Sequence, residues 1–166
     1  QVAHFPARRD EPTDVQARRA IEQAVQAHPG DVLVFLPGQR EIARVATMLA
    51  EVLPQDILVL ALHGELPVEK QSEALQPDPQ GRRRVVLATN VAESSVTLPG
   101  VRVVVDSGQA REPSYDPNSG FSRLEVTTIS QASADQRAGR AGRVAEGWAY
   151  RLWPQSQRLD PQRRPE

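Results

Sequence analysis

Eight consecutive residues, Gln136-Arg137-Ala138-Gly139-Arg140-Ala141-Gly142-Arg143, combine three arginines and two glycines with a glutamine. Arg140 and Arg143 stand three apart, so on a helix and its closing turn they point the same way. Gly139 and Gly142 remove side chains that would keep a ligand or a facing domain from that backbone. Planar, permanently charged forks aimed at one place suit the negative charge that builds on a phosphoryl group in transfer. The plainer reading is a solvated basic helix end, since arginines in a last turn suit the helix dipole. Two glycines within four residues cost about 1 kcal/mol each in helix propensity, which favours the chemical reading.

The elements that must position this run are legible in the hydrophobic pattern. Asp14 to Ala27 carries Val15, Ile21, Ala24 and Val25 at helical spacing and is stopped by Pro29-Gly30. Asp31 to Leu36 is a short apolar run expected of a buried parallel strand. A helix follows over Glu41 to Leu53, a strand over Ile57 to Leu62, a short helix over Val68 to Leu75, and strands over Arg84 to Ala88 and Val101 to Val105. The alternation predicts an α/β fold, a parallel sheet with helices on both faces. After Gly108 the pattern breaks: Arg111 to Tyr115 and Phe121 to Thr128 flank turn-rich residues 116–120, a projecting β-hairpin. Ser130 or Ser133 then caps the helix that bears the arginines, and Trp148 to Trp153 alternates like a last strand. Residues 1–13 read as a linker or disordered tail, 14–153 as the domain, and 154–166 as a truncated linker towards a further domain.

Composition narrows the classes. The 166 residues suffice for one domain, the formal net charge is −1, and cysteine is absent. That excludes disulfides and thiolate-bound metal, fits a cytoplasmic location, and argues against a generic polybasic binder. No run of about 18 apolar residues suggests a membrane span, and no signal pattern suggests secretion. In open parallel sheets, ligands collect beyond the carboxyl ends of the strands. Four polar segments fall there: LPGQRE after the first strand, HGE after the second, TNVAESS after the third and DSG after the fourth.

Together with VLVFLPGQREI (Val32 to Ile42), LATNVAESSVTLPGV (Leu87 to Val101), RVVVDSG (Arg102 to Gly108) and GWAYRLW (Gly147 to Trp153), the arginine run resembles superfamily 2 helicases of the DEAH/RHA group, and within it the bacterial HrpB-type helicases. The resemblance implies a RecA-like domain, the second of two. The GxxxxGK[ST] phosphate loop and the acidic DEAH tetrad of the first are not in these residues, whose only lysine is Lys70. It implies an ATP-dependent RNA helicase, or one acting on DNA, with ATP and Mg²⁺ bound mainly by the first domain of the same polypeptide. The fragment alone is then expected to be inactive.

The resemblance also assigns roles. Arg140 and Arg143 would be arginine fingers at the γ-phosphate, and Gln136 would orient phosphate or attacking water. Arg137 would be structural. Thr89, Asn90 and Ser95 fall in a segment that touches nucleic-acid backbone and senses nucleotide, and Thr97 lies near the ribose. N-capping of the following helix is the plainer role for Asn90 or Ser94. Pro99 stands where such proteins carry an acidic residue. Gly38, Gln39 and Arg40 would line a channel for single-stranded RNA or DNA, although a tight turn alone could account for Gly38. The hairpin corresponds to a strand-separating wedge, with Tyr115 and Phe121 near its turn. The contrasting reading is a catalytically silent RecA-like module that binds nucleic acid or protein. Leu75, aligned on Pro77-Asp78-Pro79, replaces an aromatic that stacks on adenine, and leucine cannot read the base. Relaxed nucleotide choice follows: the parent protein should turn over ATP and GTP at comparable rates, and strict ATP use in a steady-state assay would refute it.

Overall fold

In a computed structural model, which describes residues 1–94, 98–115, 122–141 and 146–161, six strands form one parallel sheet. In chain order they are β1 (Val2–His4), β2 (Asp31–Phe35), β3 (Leu58–Leu62), β4 (Arg84–Ala88), β5 (Val101–Asp106) and β8 (Trp148–Arg151). Their order across the sheet is β1-β8-β5-β2-β4-β3. The antiparallel pair β6 (Gln109–Tyr115) and β7 (Ser122–Thr128) stands apart as a hairpin. Helices α1 (Thr13–Ala27) and α2 (Gln39–Val52) cover one face, and α3 (Val68–Leu75), α4 (Val91–Ser94) and α5 (Gln131–Ala138) the other.

Alternation along the central strands divides the core between the two faces. Val32 and Val34 pack with Ile21 and Val45 under α1 and α2, whereas Leu33 and Phe35 pack with Ala74 and Ala92 on the opposite side. Strands buried on both faces must be apolar throughout, which is why these runs are so plain in the sequence. The amino end of the sheet is pinned by a buried arginine. Arg84, 1% exposed, pairs with Asp31 at 2.9 Å and donates to the carbonyls of Ala74 (2.9 Å) and Pro99 (3.1 Å). It thereby closes the carboxyl end of α3, whose last carbonyls lack helical partners. Gly108, the turn after β5, needs its glycine twice over: φ is +76°, and an added Cβ would lie 2.7 Å from the Trp153 ring.

One expectation is corrected at the start of the chain. Residues 1–13 are not a free tail: β1 pairs with β8, and the Phe5 N–H donates to the Arg151 carbonyl at 2.7 Å. Prolines 6 and 12 suggested a linker, but the backbone partner that orders Val2–His4 lies almost 150 residues away. In the segment after residue 153, the carbonyls of Asp160 and Pro161 accept from Gln131 N–H (2.6 Å) and Ala132 N–H (3.3 Å), satisfying free donors at the start of α5. No helix among the described residues is long and apolar enough to cross a membrane.

Glu11 ties the first segment to α1. Arg19 donates to both of its oxygens at 2.8 and 2.9 Å, and the Arg8 N–H adds a third bond at 2.9 Å. The Arg19 guanidinium, with help from that N–H, holds the Glu11 carboxyl at about 2, below its ordinary 4.5. A depressed folded-state value means stability that is present above pH 4.5 and is lost as pH falls towards 2. Glu11→Gln should therefore be less stable than the parent chain above pH 4.5, with the difference closing towards pH 2. Urea-unfolding midpoints across that range test this, and a pH-independent difference would assign the effect to packing.

Candidate functional site

The carboxyl edge of the sheet opens into a cleft of about 420 Å³. The turn after β2 supplies Gly38, the start of α2 supplies Gln39 and Arg40, the turn after β4 supplies Thr89 and Asn90, and His63 to Glu65 follow β3. These five sequence-identified channel residues thus converge on one concavity. The Thr89 N–H donates to the Leu62 carbonyl at 3.2 Å, fixing the turn to the neighbouring strand. Gln39 donates through Nε2 to Glu65 across the cleft mouth at 2.7 Å. Arg111, from β6, completes the wall and was missed in the sequence, which cannot show that the hairpin root returns over the β2 turn.

Beside the cleft lies α5. Ser130 is its N-cap, accepting from the Ser133 N–H at 3.1 Å. Gln136 faces solvent, and Arg140, four residues on, donates through Nε to the Glu93 carbonyl at 2.8 Å. Gly139 is helical rather than left-handed, at φ −65° and ψ −10°. Arg143 lies outside the described residues, as do Ser95, Thr97 and the hairpin turn with Phe121. Leu75 is half-buried and packs against the core beneath α3, so its side chain contributes to the domain interior.

The first arginine of the run is the structural one. Arg137 has no solvent exposure. Its Nη1 donates to Asp106 at 2.7 Å, its Nε to Glu93 at 3.0 Å, and its Nη2 to Asn90 Oδ1 and to the Gln109 carbonyl. The Phe35 ring lies 4.7 Å from its guanidinium carbon. A single planar cation therefore joins β5, α4, the β4 turn and the root of the hairpin. Asn90 is drawn into this network rather than capping with its side chain. Burial pushes the Asp106 carboxyl above its ordinary range, against the pull of Arg137 and of the Gly108 N–H. Both of those donors meet Oδ1, and Oδ2 is buried without a hydrogen-bond partner among the described residues.

Residues 16–145 match the helicase conserved C-terminal domain. The chain belongs to that family. This helicase domain is 44% identical over 146 residues to the pre-mRNA-splicing factor ATP-dependent RNA helicase DEAH10 of Arabidopsis thaliana, covering 83% of the chain and 20% of that protein. It is 44% identical over 149 residues to the ATP-dependent RNA helicase HrpB of Escherichia coli, covering 89% of the chain and 18% of HrpB. A crystal structure of the E. coli DExH-box NTPase HrpB superposes with a TM-score of 0.93 at 40% identity, over 99% of this chain and 21% of that one. The fold is therefore RecA-like, and the chain spans about a fifth of the length of these relatives.

Removing one partner of a buried ion pair leaves uncompensated charge, at a cost of about 3–5 kcal/mol. Arg137→Met should therefore destabilise the helicase domain by about that amount in denaturant unfolding. Arg137→Lys should recover only part of it, because one ammonium cannot span the acceptors of Asp106, Glu93, Asn90 and Gln109. Full recovery with lysine would show that charge alone, without the fork, sustains the network.

Proposed function

We propose that this domain is the second motor domain of an ATP-dependent RNA helicase, acting with a first RecA-like domain of the same polypeptide. The observation that carries this reading is the convergence of Gly38, Gln39, Arg40, Thr89 and Asn90 on one cleft beside α5, which carries Gln136 and is followed by Arg140. The relatives' names, which are those of ATP-dependent RNA helicases, support the same reading.

The residues fit a nucleotide at the domain boundary. Gln136 is open to solvent on α5, and the arginines beyond it remain charged at any working pH. In the closed state Arg140 and Arg143 balance the charge that develops on the transferring phosphoryl group, and Gln136 positions the water or a phosphate oxygen. ATP supplies the phosphoanhydride whose cleavage drives the cycle. Mg²⁺, like the phosphate loop, is assigned mainly to the first domain by the likeness to ATP-dependent helicases. Ser95 and Thr97 serve the nucleotide, and Leu75, half-buried, offers its base apolar contact without stacking. In the cleft, Thr89, Asn90, Gln39 and Arg40 hold the sugar–phosphate backbone, and opening and closing of the domains moves a single strand past them. Alone, the domain has fingers without a phosphate cradle and is inactive. The cysteine-free chain is consistent with a cytoplasmic home.

The test uses the full-length parent protein. Arg143→Ala should lower RNA-stimulated ATP hydrolysis roughly 10³-fold, as loss of an arginine finger does, with RNA affinity retained. Unchanged turnover would remove the finger assignment and leave a silent binding module as the better description.

A further inference from the structure

Gly38 has a need for glycine that the turn does not explain. Its φ of −167° and ψ of 179° are extended backbone open to any residue. Space is the constraint: a Cβ there would lie 2.7 Å from Arg111 Nε, 3.2 Å from Arg111 Cδ and 3.1 Å from Glu41 Oε1. The Arg111 side chain crosses directly over the Gly38 backbone. It reaches the cleft from strand β6, whose position is fixed by the buried Ala110 and by the bond from Arg137 to the Gln109 carbonyl.

The Arg111 guanidinium is steered without being occupied. Its one ion pair is with Glu41 at 4.0 Å, too long for a hydrogen bond, and its side chain is 38% exposed. Among the described residues it makes no hydrogen bond, so its N–H donors remain available to an outside acceptor. Arg40 lines the same cleft, and no Phe, Tyr or Trp does among the described residues. Cationic donors without stacking surfaces suit phosphates rather than bases.

We infer that Arg111 grips a backbone phosphate of the strand in the cleft, and that Gly38 is the seat that lets it do so. This rests on reading the cleft as a nucleic-acid channel. It makes Arg111 a binding residue of the hairpin root, and it makes Gly38 a positioning residue that acts through Arg111.

The experiment measures binding of a fluorescent oligouridine to the full-length parent across a salt series. Arg111→Ala should weaken binding about fivefold, equivalent to about 1 kcal/mol. It should also reduce the slope of log affinity against log salt by about 0.7, the loss of one phosphate contact on a single strand. Arg111→Lys should restore the slope, because it keeps the charge. Gly38→Ala should reproduce the Arg111→Ala defect with an unchanged unfolding midpoint, because its methyl meets only the flexible side chains of Arg111 and Glu41. The double variant should then bind no more weakly than either single one. Additive losses would overturn the seating role. An unaltered slope in Arg111→Ala, with Thr89→Ala still weakening binding, would remove Arg111 from the contact and leave the channel reading intact. Binding indifferent to Arg40→Ala, Thr89→Ala and Arg111→Ala alike would overturn the channel reading and this inference with it.

Discussion

The domain is organised around a cation that never meets water. Arg137 sits where β5, α4, the turn after β4 and the start of β6 converge, and bonds to each. An arginine in that position is unfavourable unless its donors are met, and the surrounding backbone is folded to meet them. Asp106 ends the central strand β5, and Glu93 is carried by α4, whose single turn is too short to hold a position unaided. Gln109 begins the hairpin. Without the guanidinium, these four pieces would share no common reference point.

That geometry gives the two faces of the proposed motor a common frame. Asn90, on the cleft wall, and α5, which carries Gln136 and bears Arg137 itself, are held to the same guanidinium. The Arg140 side chain itself rests on the Glu93 carbonyl, one residue of the same network. A shift of α5 therefore cannot leave the turn after β4 unaffected, nor the strand that carries Arg111. At the opposite end of the sheet, Arg84 plays the matching part, tying β2 and β4 to the end of α3. The sheet is thus fastened at both ends by buried arginines, and the cleft of Gly38, Thr89 and Arg111 opens at its carboxyl end.

Much of this was legible in the sequence, for identifiable physical reasons. Strands β2, β4 and β5 announce themselves because burial on both faces leaves almost no polar positions. The five residues of the cleft follow strand ends, where a parallel sheet must gather them. A structural place was expected for Arg137, but not its full burial, and Arg84 and Arg111 were given no role. Arg84, Arg137 and Arg111 are the same residue type in similarly polar surroundings, yet the first two are buried and the third is partly open. Only tertiary partners distant in sequence distinguish them. Strand β1 was hidden for the same reason, since three residues between a chain end and a proline carry no periodicity of their own. Gly38 resembled a turn glycine because the side chain it accommodates arrives from more than seventy residues downstream.

The pairing of β1 with β8 has a mechanical meaning. The two strands are parallel neighbours, so the polypeptide enters the pair at one end of β1 and leaves it at the opposite end of β8. Tension between the segments before and after them would slide the strands along one another. The bonds from Ala149 to Gln1, through the paired residues, to Phe5 and Arg151 would then bear the load together. Gln16 reinforces the far end, donating to the carbonyls of both Phe5 and Leu152 at 3.0 and 2.9 Å. A peeling geometry would break such bonds one at a time, whereas shear requires them to yield at once. The fold is thereby wired to resist being pulled apart.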